Sequence, residues 1–90
     1  MKRFESKTAI ITGGSGGIGA AICERFASEG AHVVICDMNR KAAEALAAEL
    51  KNKGFDASIQ AIDITDAAAC QQMIEDVVET QGQVDVLCNN

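Results

Sequence analysis

The chain has 90 residues, of which 48% are hydrophobic and 23% charged, ordinary values that suffice for one globular domain or part of one. Its net charge of -5, with no basic run, argues against DNA or RNA as a partner, because nucleic-acid binders gather Lys and Arg on one face. No apolar run approaches the ~20 residues that span a bilayer, and no apolar segment follows the charges at 1–5, so we expect a cytoplasmic protein without a membrane partner.

The hydrophobic pattern predicts strands that alternate with helices. The predicted strands are residues 8–12, 32–37, 57–63 and 84–88. The helices between them carry apolar residues at helical spacing: Ile18, Ala21, Ile22 and Phe26, then Ala43, Leu46, Ala47 and Leu50, then Cys70, Met73, Ile74, Val77 and Val78. Strands alternating with helices of about a dozen residues are typical of right-handed β-α-β crossovers, so the fold class is α/β with a parallel sheet.

Helix boundaries are marked as well. Gly30, Gly54 and Gly82 stand where a glycine ends a helix, and Thr65 or Asp66 caps the third helix. The second, third and fourth strands run into polar residues: Asp37, Asp63, and Asn89 with Asn90. These residues fall on the carboxyl edge of a parallel sheet, where ligands bind.

The cysteines and the single histidine predict no metal or nucleophilic site. No C-x-x-C pair occurs, so we interpret all four cysteines as reduced core residues: Cys23, Cys36, Cys70 and Cys88. His32 begins the second strand, on the sheet edge away from a ligand, and is predicted to be a surface residue.

A glycine-rich loop joins the first strand to the first helix. It fits G-x-G-x-x-G through Gly14, Gly16 and Gly19, and T-G-x-x-x-G-x-G through Gly13, Gly17 and Gly19. In either register the backbone approaches a pyrophosphate closely, and the helix N-terminus, with roughly half a positive charge, binds it. A P-loop is excluded because no G-K-[ST] follows.

The spacing and the charge of Asp37 indicate which dinucleotide is the cofactor. Asp37 lies 18 residues after Gly19, close to the spacing of about 20 at which an acid holds the adenosine ribose. A 2′-phosphate at about 4 Å would cost roughly 1 kcal/mol per unit charge in water and about 4 at an effective dielectric of ~20. NAD is therefore favoured over NADP, although Arg40 and Lys41 are near enough in sequence to reduce the preference.

Together these motifs resemble the N-terminal third of the short-chain dehydrogenases/reductases. They are the Thr12-Gly13 loop, Asp37 after strand two, Asp63-Ile64 after strand three, and Asn89-Asn90 after strand four. The resemblance selects the T-G-x-x-x-G-x-G register. It implies that residues 1–90 form a partial NAD(P)-binding Rossmann domain: a three-layer, doubly wound parallel sheet of four strands in the order 3-2-1-4, with three helices.

The resemblance also implies a role for each site residue. Gly13, Ser15, Gly16 and Ile18, with Gly19 of the motif, would form the phosphate loop, and Asp37 would hold the adenosine ribose. Asp63 would bond the adenine amino group, the Ile64 backbone would contact the ring, and Asn90 would lie near the ribose. The competing interpretations are helix N-cap chemistry for Asp63 and a frayed terminus for Asn90.

The family interconverts alcohols and ketones through a Tyr, a Lys four residues later, a Ser and an Asn. This chain contains no Tyr, so the resemblance implies a truncated chain that binds cofactor without catalysis and acts on a small-molecule substrate only in a complete protein. In the complete sheet strand four is internal, so its apolar edge here predicts self-association. Alternatives are a non-catalytic dinucleotide-binding module and a methyltransferase, against which Thr12 and the terminal Asn-Asn argue.

Overall fold

A computed structural model, which describes residues 3–89, contains four strands and three helices in strict alternation. The elements are β1 (Thr8–Thr12), α1 (Gly17–Ser28), β2 (His32–Cys36), α2 (Arg40–Asn52), β3 (Ala57–Gln60), α3 (Ala67–Gln81) and β4 (Val86–Asn89). All strand pairs are parallel, and the strands lie in the order β3-β2-β1-β4. The structure therefore confirms the predicted α/β class and strand order.

The core lies on both faces of the sheet, because successive side chains of a strand point to opposite faces. Ile11 and Ile35 are fully buried on the face that packs against α1 and α2. Ile10 and Val34 are buried on the other face, against Met73 of α3. These two layers of helices around one sheet give the three-layer architecture, in which each buried Ile or Val contributes about 1.5–3 kcal/mol of transfer free energy.

Three strands have other limits than the sequence predicts, for reasons of pairing. β2 ends at Cys36, so Asp37 follows it directly, and β3 ends at Gln60, where its partner β2 also ends. β4 begins at Val86 rather than at residue 84, because the Asp85 carboxylate accepts from the Thr8 N–H at 2.8 Å and takes a backbone position in the ladder.

The helix ends agree with the predicted punctuation. Gly30, Gly54 and Gly82 adopt positive φ angles of 98°, 83° and 86°, which a glycine accommodates without strain. Asp66, not Thr65, is the N-cap of α3: its Oδ1 accepts from two backbone amides at 3.0 and 3.1 Å. No helix within residues 3–89 is long and apolar enough to cross a bilayer.

Four of the predicted helix-face residues are exposed. Ile18 is 73% exposed in the first turn of α1, and Ala21 is exposed too, because α1 buries Gly19, Cys23 and Ala27 instead. In α3 the core takes Met73 and Val77, whereas Ile74 and Val78 remain about 40% exposed, at 38% and 44%. The buried stripe of α3 is thus narrower than its apolar stripe.

The prediction for His32 is wrong in one respect. The His32 side chain is only 11% exposed. Its Nε2 lies 2.9 Å from Ser58 Oγ, within hydrogen-bond distance. Its Nδ1 lies 2.9 Å from the Asp56 carboxylate but makes no hydrogen bond to it. His32 does lie at the amino end of β2, on the sheet edge opposite to the glycine loop.

All four cysteines are free, and two of them belong to the core as predicted. Cys23 and Cys36 are fully buried, whereas Cys70 and Cys88 are only half-buried. Burial raises the pKa of both Cys23 and Cys36 to about 12, so these two thiols stay protonated at neutral pH.

Candidate cofactor-binding site

The glycine loop turns sharply at the end of β1. Gly13 allows this turn by its positive φ, and Gly14 allows it by its lack of a side chain. Gly13 has a φ of 64°, and its N–H donates to the Cys36 carbonyl at 2.8 Å, which ties the loop to the end of β2. A Cβ on Gly14 would lie 2.9 Å from Ile35 Cγ2 and 3.1 Å from the Ile11 carbonyl oxygen. This close approach brings the start of α1 down onto the sheet.

The N-terminus of α1 differs from those of the other two helices. Asn39 caps α2 and Asp66 caps α3 through side-chain oxygens, but the N-cap of α1 is Gly16, which offers none. Like those of α2 and α3, the first turn of α1 carries no acidic residue, so only the side-chain cap distinguishes the three helices. The first amides of α1 therefore have neither an intrahelical acceptor nor a capping side chain, and an anion would supply the missing acceptor.

Gly16 and Gly17 leave open space around the start of α1. A Cβ on Gly16 would come no closer than 3.6 Å to a neighbouring atom, and a Cβ on Gly17 would have nothing within 4 Å. Gly19 is buried on the sheet side of α1, whereas Ile18 faces solvent. The motif thus divides into glycines that the fold needs and glycines that leave the helix start accessible.

Asp37 lies against this loop. Its Oδ2 accepts from the Ser15 backbone N–H at 3.2 Å and from the Ser15 hydroxyl, and its Oδ1 accepts from the Asn39 N–H at 2.9 Å. The hydrogen bond from the Ser15 hydroxyl, followed by that from Asn39, lowers the pKa of Asp37 below its ordinary value, so the carboxylate is charged at neutral pH.

Asp63 and Ile64 lie in the connection between β3 and α3. Asp63 Oδ1 accepts from the Thr65 N–H at 2.9 Å and from the Thr65 hydroxyl at 2.6 Å, and these bonds lower the Asp63 pKa. Asp63 is therefore not the helix cap, which is Asp66. Ile64 is 45% exposed beside it.

A cleft of about 230 Å³ joins these segments at the carboxyl edge of the sheet. It is lined by Gly13, Cys36, Asp37, Met38, Ile62, Asp63, Ile64 and Thr65. Parallel strands all end at this edge, which is where open α/β sheets bind ligands. The cleft has a mainly apolar interior with carboxylates around it, a surface on which a flat heterocycle could lie.

The predicted site residues are brought together in two connected groups. Gly13, Asp37, Asp63 and Ile64 line the cleft, and Ser15 joins them through its bonds to Asp37. Gly16, Ile18 and Gly19 belong to the start of α1, and Asn90 lies outside the described residues.

Sequence reasoning missed two apolar residues of the cleft. Met38 is 71% exposed directly after Asp37, and Ile62 lies one residue before Asp63. Their signal was an apolar residue next to an acid just after a strand; Ile62 in addition packs partly against the core. Thr12, the first residue of the loop motif, also holds the edge together: its hydroxyl lies 3.3 Å from the Cys88 carbonyl of β4.

Comparison with known proteins gives a consistent result. The sequence model of the family described as short chain dehydrogenase matches residues 7–90. Over 90 residues the chain is 46% identical to the 7alpha-hydroxysteroid dehydrogenase of Bacteroides fragilis, and the match covers 100% of this chain and 35% of that protein. The chain therefore spans about a third of the length of this relative.

Two solved structures with different cofactors are similar to it. One is an NAD+-bound xylitol dehydrogenase, with a TM-score of 0.91 and 36% identity over 96% of this chain and 33% of that one. The other is a metagenomic short-chain oxidoreductase in complex with NADP, with a TM-score of 0.90 and 32% identity over 93% of this chain and 38% of that one. By the match over residues 7–90, the chain belongs to the short-chain dehydrogenase family.

Proposed function

We propose that this chain is a single dinucleotide-binding unit that takes NAD in preference to NADP. The family binds nicotinamide dinucleotides. The observation that carries the proposal is the position of the Asp37 carboxylate against the loop that opens the uncapped helix α1. The diphosphate would bind at the loop and helix start formed by Gly13, Ser15, Gly16, Ile18 and Gly19.

The adenosine half would occupy the cleft. Asp37 would hold the adenosine ribose by accepting from one of its hydroxyls, Asp63 would bond the adenine amino group, and the backbone of Ile64 would contact the ring. Asn90 would lie near the ribose. The apolar side chains of Met38 and Ile62 suit the flat faces of adenine, since aromatic rings gain free energy from buried apolar area.

The preference for NAD rests on charge. Asp37 is ionised at neutral pH and would repel a phosphate on the 2′ position, at a cost of about 1–4 kcal/mol per unit charge at 4 Å. Arg40 and Lys41 are exposed, and within the described residues no ion pair joins either of them to Asp37. Neither cation therefore neutralises the carboxylate.

Calorimetric titration of the 90-residue chain with NAD and with NADP tests the proposal. We expect NAD to bind at least tenfold more tightly, and Asp37→Asn to remove most of this difference. Asp76→Asn is the matched control, because it removes the same charge from a partly exposed site on α3, where the carboxylate accepts from Gln72 at 3.0 Å. Absence of NAD binding by a folded chain, or an equal effect of the two substitutions, would refute the proposal.

We further propose that the whole protein is an oxidoreductase that interconverts a secondary alcohol and a ketone. Bound NAD(H) supplies the hydride acceptor or donor for such a reaction. These 90 residues contain no Tyr and thus no Tyr-Lys acid/base pair, so this chain is proposed to bind cofactor without turning over a small-molecule substrate. Turnover of an alcohol with NAD by the purified 90-residue chain would contradict this.

The chain is also proposed to self-associate through β4. Within residues 3–89 this strand pairs only with β1, and Leu87 on it is 50% exposed. An apolar edge strand with free N–H and C=O groups is a template for a second copy. Sedimentation velocity should show a concentration-dependent increase in mass that Leu87→Lys reduces; a monomer at all concentrations would be incompatible with the proposal.

A cytoplasmic location is proposed on the state of the cysteines. All four thiols are free, and Cys23 and Cys36 are fully buried, as suits a protein of a reducing compartment. Fractionation of cells that produce the chain, followed by thiol labelling under denaturing conditions, should place it in the cytoplasm with its thiols reduced. Recovery from an oxidising compartment with disulfides would contradict it.

A further inference from the structure

We infer that Ser15 is a positioning residue for Asp37: its side chain orients the carboxylate for the adenosine ribose and so controls the choice between NAD and NADP. The inference rests on the proposed function, in which Asp37 receives the ribose. In this role the Ser15 hydroxyl contacts Asp37 and not the diphosphate.

The contacts of Asp37 are unevenly distributed between its two oxygens. Among residues 3–89, Oδ2 accepts from both the backbone N–H and the hydroxyl of Ser15, whereas Oδ1 accepts from the Asn39 N–H at 2.9 Å, and the Met38 N–H lies near the carboxylate as well. An ionised carboxylate has about four acceptor positions, two on each oxygen. Oδ2 is therefore saturated by Ser15, and Oδ1 keeps one position, which we assign to a ribose hydroxyl.

Ser15 supplies both hydrogen bonds to Oδ2. Without its hydroxyl, Oδ2 would keep only the Ser15 N–H at 3.2 Å, which is the longest of the three bonds, so the carboxylate would be held less firmly. The same hydroxyl makes the largest contribution to the lowered pKa of Asp37, so it favours the charged form that repels a 2′-phosphate. Ser15, in the glycine loop, thus influences both the position and the ionisation of the Asp37 carboxylate.

The chemistry of the hydroxyl argues against a direct bond to phosphate. A serine has one O–H donor, and here the carboxylate of Asp37 receives it. The lone pairs that remain on Oγ are acceptors, and phosphate oxygens are acceptors too. A direct phosphate contact would require breaking the bond to Asp37, whereas the positioning role keeps it.

A double-mutant cycle separates the two roles. Affinities for NAD and NADP are measured by calorimetry for the wild-type chain, Ser15→Ala, Asp37→Ala and the double variant. We expect Ser15→Ala to weaken NAD binding by about tenfold, in line with the loss of a hydrogen bond to a charged group, and to change NADP binding much less. In the Asp37→Ala background the same substitution should change NAD affinity by less than about twofold, because nothing is left to position.

Two further measurements complete the test. Ser15→Thr keeps the hydroxyl and should recover most of the affinity and selectivity. NMR titration of the Asp37 carboxyl carbon without ligand should give a higher pKa in Ser15→Ala than in the wild type. An equal loss of NAD affinity in both Asp37 backgrounds, or an unchanged Asp37 titration, would overturn the inference. Failure of the wild-type chain to bind NAD would refute the proposed function instead, and the carboxyl titration would still report on the Ser15–Asp37 contact.

Discussion

Replacing Gly14 and Gly17 by alanine, one at a time, separates the glycines that the fold needs from those that it does not. At Gly14 the new methyl group would lie 2.9 Å from Ile35 Cγ2 and 3.1 Å from the Ile11 carbonyl oxygen, inside normal contact distance. Ile35 is fully buried and the carbonyl belongs to β1, so neither neighbour can move cheaply. Overpacking of this kind costs about 1–3 kcal/mol.

At Gly17 the same methyl group meets nothing within 4 Å. Alanine is up to about 1 kcal/mol better than glycine inside a helix, and less at the first helical position, so Gly17→Ala should leave stability unchanged or slightly raised. Neither glycine has a positive φ, so backbone strain does not distinguish the two substitutions.

Urea unfolding followed by circular dichroism measures both effects. With a slope of about 1 kcal/mol per molar urea for a small domain, Gly14→Ala should lower the midpoint by about 1–3 M, and Gly17→Ala should move it by less than about 0.5 M. Calorimetry on the same samples should show that Gly17→Ala weakens NAD binding although the fold is intact. Equal midpoints for the two variants would refute the steric argument.

Three further predictions concern stability. Asp66→Ala should lower the free energy of unfolding by about 1 kcal/mol, because it removes the side-chain cap of α3, and urea denaturation measures this loss. Met73→Ala should cost about 2–4 kcal/mol, at least twice the cost of Ile74→Ala in the same assay, since Met73 is 3% exposed and Ile74 38%. Because the pKa of Asp37 is lowered on folding, its ionised form stabilises the fold above about pH 4, and this contribution is lost as the pH falls through the folded pKa. The stability difference between wild type and Asp37→Asn should therefore shrink from pH 6 to pH 2, and urea midpoints that keep a constant difference would contradict this.

The α/β class and the edge on which the site lies follow from local patterns. The run at Thr8–Thr12 is rich in apolar, β-branched residues and forms a buried strand. Each helix ends at a glycine with positive φ, which is a local effect that does not depend on the rest of the chain. Limits that depend on a partner strand were predicted less well. β3 ends early because β2 offers no further partner beyond Cys36, and β4 begins late because of the Asp85 side chain.

Side-chain environments depended most on the tertiary structure. Helical spacing placed Ile18 and Ile74 on apolar faces, but whether an apolar residue is buried depends on what covers it, and both are exposed. His32 was predicted to lie on the surface, yet Ser58 of β3 and the neighbouring Asp56 surround its ring. A one-dimensional pattern has no information about such a neighbour from another strand.

The amino-acid sequence by itself determined the order of elements, the glycine loop and the acid after β2, because these depend on residue type and spacing along the chain. Only the tertiary structure decided that Ser15 and Asp37, 22 positions apart, share hydrogen bonds and that, of the three helices in residues 3–89, α1 begins without a side-chain cap. The physical reason is that hydrogen bonds and steric contacts act over a few ångströms in space, and parallel pairing of β1 with β2 brings their carboxyl ends together.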